Sequence, residues 1–370
     1  MNILAISHEF PPIGGGGANA CYFLSKGFVE RGHKVTLVTA CFDGLKDREE
    51  INGVDVIRVA AKRSRLEQCS FAEMLSFLAK AYPVANRLCK DNKYDVCLIF
   101  FGIPAGPIGY ILKKKYKLPY VIRFGGGDIP GFQERFTNVY KMIGPAIKLI
   151  WKKAEKRIAN SEGLRELAYN FCDKYPFDIV CNGVDTNVFA PANKEQHSEV
   201  RLLFVSRLIE RKGLQYVLPQ LKDIDNISLT IVGDGPYRQT LEDIVKSNSL
   251  TEKVIFVGQK DKSEIVPYYQ NADIFILPSG KEGMPNVVLE AMACGLPIIM
   301  TPCQGSAELV DDSNGYVVPK DEFKGVIQQI SRDDTLRYQL SDGSRKKAIN
   351  DFSWDSVVEK YIDILESVSA

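Results

Sequence analysis

The chain has 370 residues, 45% of them hydrophobic and 25% charged, which is long for one hydrophobic core, comfortable for two, and excludes an intrinsically disordered chain. Lys and Arg number 47 against 46 Asp and Glu, but residues 1–190 carry 27 against 19 and the remainder 20 against 27. That bias is too small to imply nucleic acid, and it suits an anionic acceptor or membrane surface. Nine cysteines are scattered, odd in number and form no CxxC pair. With no signal peptide in view, reduced thiols in a cytoplasmic protein are expected.

In chain order, apolar runs predict strands at Asn2–Ser7, Lys34–Thr39, Val54–Ala60, Val96–Phe101, Tyr120–Arg123 and Ile179–Cys181. Segments of 3.6-residue period lie between most of them, such as Ala18–Glu30 and Phe71–Cys89, and this alternation implies parallel strands with crossover helices. The uncharged stretch Val96–Leu112 is long enough to suggest a membrane span. Gly102, Pro104, Gly106 and Pro107 interrupt it, so it reads as a strand, a turn and a helix starting near Pro107. Residues 182–199 lapse into a polar linker. Strands then resume at Arg201–Ser206, Leu229–Val232, Val254–Val257, Ile274–Leu277 and Ile298–Met300. The expectation is α/β, two Rossmann-like doubly wound domains: residues 1–190, then 191–352, with a last helix in 353–370 free to pack back on the first.

The first glycine cluster, Gly14–Gly17, follows strand one and precedes a helix, where backbone N–H groups can approach a phosphate. Gly15-x-Gly17-x-x-Ala20 also fits a looser dinucleotide fingerprint with Asp43 beyond strand two, and a tight packing turn is the plain alternative. In the second half, Ser206-Arg207-Leu208 ends a strand and Arg211-Lys212-Gly213 follows. Arg207 and Lys212 there form a candidate diphosphate clamp, with a solvated basic turn as the alternative. Gly233-Asp234-Gly235-Pro236 lies at the same sheet edge, its glycines allowing close approach of a ligand. In PSGKEGMPNVVLEAMACGLP (278–297), Glu282 sits on a loop and Glu290 about one turn inside a helix. Glu290 can accept two vicinal hydroxyls, while the N–H groups of Asn286, Val287 and Val288 favour an anion. Asp223-x-Asp225 lies in a polar loop and is discounted as a metal site.

These motifs, in this order, resemble glycosyltransferase family 4, a retaining family of GT-B fold, over nearly the whole chain: the glycine loop, NGVD at Asn182–Asp185, SRL with KG, GDGP, and E-x7-E running into LEAMACGLP. The resemblance is of the bacterial surface-polysaccharide type. It implies two domains facing across a cleft, transfer with retention, and neither metal nor cofactor. By position it implies that Arg207 and Lys212 neutralise the donor diphosphate, Glu290 binds the ribose, Glu282 contacts the sugar, and Gly15 and Gly16 approach the diphosphate. Backbone around Gly233–Gly235 and Gly258–Lys260 would read the base, UDP before GDP. The chain departs from the family at the turn that often carries histidine in an HGxD-like pattern. Here it reads RFGGGDIPG, and Asp128 alone is retained as a candidate catalytic group. His8, beside the glycine loop, is a second candidate for a place in the cleft. His33 reads as a packing or capping residue, and His197 falls in the linker.

The segment Arg135–Arg157 alternates apolar residues with Lys141, Lys148, Lys152, Lys153 and Lys156. A helix covering a sheet with its lysines in water explains this, and peripheral contact with the inner face of an anionic membrane is the alternative. The leading function is transfer of a sugar from a nucleoside-diphosphate sugar to a glycan or lipid-linked glycan. An epimerase of the same architecture and a nicotinamide-dependent enzyme are the competing classes; a non-catalytic binding module leaves Glu282 and Glu290 without purpose.

Overall fold

The computed structural model describes residues 1–66, 69–133, 136–192 and 198–369. Its contacts divide the chain into Met1–Asn182 with Val357–Ala370, and Gly183–Ser356. The division thus falls eight residues before the expected 190/191 boundary, and the chain returns to the first unit at Val357 where 353 was expected.

In the first unit the strands among the described residues are β1 (Asn2–Ile6), β2 (Lys34–Ala40), β3 (Arg48–Ile51), β4 (Val54–Val59), β5 (Val96–Phe100), β6 (Tyr120–Arg123), β7 (Lys156–Ala159) and β8 (Asp178–Ile179). They form one sheet in the order β3-β4-β2-β1-β5-β6-β7-β8. Every pairing is parallel except the β3–β4 hairpin. β3 and β7 are additions to the predicted set. β3 reads REEI and is an edge strand, so charge on its faces costs nothing and its apolar signal is absent. Strand order reverses between β1 and β5, the position in open α/β sheets beside which ligands bind.

Local chemistry starts and stops the helices. Ser70 caps helix Phe71–Asp91 through a reciprocal pair: its Oγ accepts from the Glu73 N–H at 3.3 Å, and its own N–H donates to the Glu73 carboxylate at 2.7 Å. Helix Gly102–Tyr116 begins before the expected Pro107. Ile103 has extended backbone angles, so the regular turns start on Pro104, whose missing N–H no carbonyl requires. Among the described residues no helix is long and apolar enough to cross a membrane. On one sheet face Trp151 packs edge-on against Phe124, Phe171 and Phe177 at 5.2–5.3 Å, anchoring the chain just beyond β6. The last helix, Trp354–Ser369, lays Val358 over Gly27 of helix Gly16–Glu30, where a Cβ would come within 2.4 Å of it.

The second unit holds β9 (Val200–Val205), β10 (Ile227–Val232), β11 (Val254–Gly258), β12 (Ile274–Leu277), β13 (Ile298–Met300) and β14 (Gly315–Val317), in the order β11-β10-β9-β12-β13-β14. All are parallel, and β14 is again an addition. The switch between β9 and β12 sets the loops after β9, β10 and β12 side by side. Both units are therefore Rossmann-like.

Candidate functional site

In the second unit the predicted residues converge because three loops interlock through glycine. Gly233 has φ +134°, and a Cβ on it would stand 1.9 Å from the Ser206 carbonyl oxygen. The Leu208 N–H donates to the Asp234 carbonyl at 2.9 Å, and the Tyr237 N–H to the Leu208 carbonyl at 3.0 Å. The Gly233–Gly235 turn is thus docked on the Arg207 loop: its missing side chains make room for protein backbone. Arg207 is exposed, and its guanidinium makes no hydrogen bond or ion pair among the described residues. Lys260 follows β11 and is half-buried; the adjoining Gly258 carbonyl accepts from the Gly233 N–H at 2.8 Å.

Beyond Leu208 the chain makes one 3-10 turn, Glu210–Lys212, ended by Gly213 at φ +76°. A Cβ at Gly213 would lie 1.9 Å from the Pro278 carbonyl oxygen. Alongside, the Gly280 N–H donates to the Arg211 carbonyl at 2.8 Å, and the Arg211 guanidinium to the Lys281 carbonyl at 3.1 Å. These contacts deliver Lys212 to Glu282, with Nζ and Oε1 2.6 Å apart and side chains 14% and 11% exposed. The clamp lysine and the sugar-contacting glutamate of the sequence reading are thus one ion pair across 70 positions. Cys303 adjoins it; burial first and the Glu282 carboxylate second push its thiol up to about 12, so it stays protonated.

Helix Asn286–Ala293 carries Glu290, half-buried, as the eight-residue spacing predicts. Tyr269, fully buried on helix Lys262–Asn271, donates its hydroxyl to Glu290 Oε2 at 2.7 Å. Sequence reasoning missed Tyr269, for a tyrosine on a helix before a strand carries no site signal. Of the three expected amide donors, Val288 is spent on the Pro285 carbonyl at 3.0 Å, while Asn286 and Val287 stand in the first turn, half-buried. Removing the Tyr269 hydroxyl takes one hydrogen bond from the Glu290 carboxylate. On the expectation that Glu290 binds a ribose, Tyr269→Phe should weaken nucleotide affinity about tenfold, the value of one hydrogen bond to a charged group, with kcat little changed. Calorimetric titration checks it.

In the first unit, a Cβ on Gly14 would lie 2.4 Å from the Glu9 carboxylate, and the Gly15 N–H acts on that carboxylate to lower its pKa. The glycine loop is built over an internal anion. Burial raises the Glu9 pKa, while Arg63, 3.5 Å away, acts to lower it. Gly16 opens helix Gly16–Glu30, and Gly17 packs on the Phe101 ring, where a Cβ would come within 2.3 Å. Asp43 is exposed. Asp128 is buried and spends both oxygens on backbone: Oδ2 accepts from Gly102 at 2.7 Å, and Oδ1 from Gly125 at 2.9 Å and Gly126 at 3.0 Å. It therefore positions the loops after β5 and β6, and burial raises its pKa against those bonds.

His8 does lie beside the glycine loop, buried, with its ring edge-on to Phe101 at 4.6 Å. Burial, then Arg63, lower its pKa to about 3. The unfolded ring takes a proton near 6.5 and the folded one does not until about 3, so stability should fall as pH drops through that window. Urea midpoints between pH 7 and 4 should decline more steeply for the native protein than for His8→Gln. Of the predicted basic segment, Arg135 and likewise the linker His197 lie outside the described residues. Helix Thr137–Lys153 buries Tyr140, Gly144, Ile147, Ile150 and Trp151 and exposes its lysines, together with Met142 (75%) and Leu149 (42%).

Residues 14–188 match the family model described as Glycosyltransferase Family 4, and residues 185–347 that of Glycosyl transferases group 1. The glycosyltransferase MJ1607 of Methanocaldococcus jannaschii is 28% identical, over 98% of this chain and 97% of the relative. The lipopolysaccharide core biosynthesis glycosyltransferase LpsE of Rhizobium meliloti is 27% identical over 45% of this chain and 49% of its own. Among solved structures, Anabaena Alr3699/HepE in complex with UDP superposes with a TM-score of 0.74 at 19% identity, covering 99% of this chain and 100% of that one. Two adjoining family segments, two Rossmann-like sheets and a lysine–glutamate pair at the switch of the second agree: the chain is a glycosyltransferase of the GT-B fold, a family 4 segment followed by a group 1 segment.

Proposed function

We propose that the chain is a retaining, metal-independent hexosyltransferase that takes its sugar from a nucleoside-diphosphate sugar, UDP before GDP, and passes it to a glycan or lipid-linked glycan of a surface polysaccharide. The observation that carries this reading is the Lys212–Glu282 pair, in the same unit as the free guanidinium of Arg207 and the tyrosine-held carboxylate of Glu290. In this reading Glu290 receives the ribose hydroxyls, and Arg207 and Lys212 take the diphosphate. Their positive charge stabilises the leaving nucleotide as a metal ion does elsewhere. Glu282 orients Lys212 and accepts from a sugar hydroxyl. HepE's complex with UDP supports the choice of base, and LpsE the class of acceptor.

The test is thermal shift with UDP, GDP, ADP and NAD on the native protein and Arg207→Ala. A ligand at about a hundred times its dissociation constant stabilises by about 2.7 kcal/mol. A shift with one nucleoside diphosphate, lost in the variant, is expected; a shift with NAD alone sinks the reading. Proton NMR of the product with chelator present then reads retention and metal independence, and product formed without acceptor would mean an epimerase.

Contact with the cytoplasmic face of a membrane belongs to the same proposal. The favouring observation is helix Thr137–Lys153, which has no acidic residue, four exposed lysines, and Met142 and Leu149 in water. Lys113, Lys114 and Lys115 end the neighbouring helix. Flotation with vesicles should retain the protein on anionic lipid and not on neutral lipid, and equal binding would refute it.

A further inference from the structure

Strand β6 alternates, with Tyr120 and Ile122 in the core on one sheet face and Arg123 on the other. There Arg123 is 2% exposed. Its Nη2 donates to Asn182 Oδ1 at 2.5 Å, and its Nη1 has no partner. Among the described residues no carboxylate pairs with it. Beside it, close enough to interact with the guanidinium, stands the Tyr361 hydroxyl from the last helix, 1% exposed and with no acceptor for its proton. On helix Gly16–Glu30 the Cys21 thiol lies near both Arg123 and the Ser25 hydroxyl, which is 1% exposed and has no acceptor for its proton.

An unpaired charge taken out of water carries a large desolvation penalty. Lysine or histidine in that place sheds its proton, but a guanidinium does not titrate in proteins. Its counter-charge therefore has to be negative and has to come from somewhere. The neighbours do not supply it. Burial pushes the Cys21 thiol up to about 12, so it remains neutral, and Tyr361 is likewise pushed up to about 12. Apart from the Asn182 oxygen, what faces Arg123 Nη1 is a donor, the Tyr361 hydroxyl. We propose that this cluster is a buried site for a small inorganic anion of halide size, held by Arg123 Nη1 and the Tyr361 hydroxyl, with Ser25 at its edge. At 2% exposure the site excludes a nucleotide or sugar phosphate, so it is distinct from the donor site and independent of the donor's identity. It ties the last helix to the end of β6, immediately before the Phe124–Asp128 turn.

Crystals of the full chain soaked in bromide test it directly. An anomalous peak within hydrogen-bonding reach of Arg123 Nη1 and the Tyr361 hydroxyl is expected. In solution, melting temperature at constant ionic strength should rise with the logarithm of chloride concentration when chloride replaces gluconate. Tyr361→Phe should move the midpoint of that response to severalfold higher chloride, and Arg123→Met should abolish it. Density at Arg123 without anomalous signal, meaning ordered water alone, overturns the proposal, as does an unchanged chloride response in Arg123→Met. Should that variant fail to fold, the bromide peak and the Tyr361→Phe midpoint decide.

Discussion

Lys212→Ala is expected to lower kcat about 10²–10³-fold, the cost of removing one charge aimed at a developing anion, while the fold survives. Two effects add. On the proposed function, the leaving diphosphate loses the ammonium that is 14% exposed and held by its 2.6 Å contact with Glu282. Glu282, itself 11% exposed, is left as an unpaired negative charge in the proposed donor site, which should repel the donor and raise KM. Charge and position separate in the conservative series. Lys212→Arg keeps the charge but presents a planar fork where a point charge fitted, so part of the rate should return. Glu282→Gln removes the repulsion and leaves Lys212 loosely held, which should lower kcat with a smaller rise in KM. Steady-state kinetics on the three variants checks this. Activity of Lys212→Ala within tenfold of the native enzyme would mean that the pair is structural.

The second large effect is on stability. Gly233→Ala places a methyl group 1.9 Å from the Ser206 carbonyl oxygen, and does so at φ +134°. Left-handed strain costs about 1–2 kcal/mol and overpacking against rigid backbone about 1–3, so a loss of about 3 kcal/mol is expected. For a unit of this size that is about 10 °C in melting temperature. Gly258→Ala is the control inside the same unit. Its φ is also positive, +77°, but the nearest atom to its Cβ is the movable Arg238 guanidinium at 3.8 Å, so the strain alone, about 1 kcal/mol, should appear. Equal melting of the two variants would show that the Arg207 and Gly233 loops are not wedged together. On the proposed function, nucleotide affinity should fall with Gly233→Ala as well, because the displaced loop is the one that carries Arg207.

The sequence by itself determined the number of sheets, their parallel sense and the placing of the motifs at strand ends. Those features follow from periods of 2 and 3.6 residues and from glycine after apolar runs, which are properties of neighbours along the chain. Glu290 inside its helix was legible for the same reason. β3 was not: an edge strand is permitted to be polar, so REEI carries no apolar signal. Partnership was not legible either. Lys212 meets Glu282 across 70 positions, and Tyr269 meets Glu290 across 21. Which loops touch is set by strand order, here β9 between β10 and β12, and that order appears only when the sheet is assembled. Asp128 shows the same limit from the other side. Its spacing matched a catalytic turn, yet folding surrounds it with the amides of Gly102, Gly125 and Gly126 and spends both its oxygens on them. Residue type and spacing decide what chemistry a side chain can perform. The tertiary structure decides which groups already occupy it, because a buried carboxylate must satisfy its oxygens with whatever donors the fold brings near.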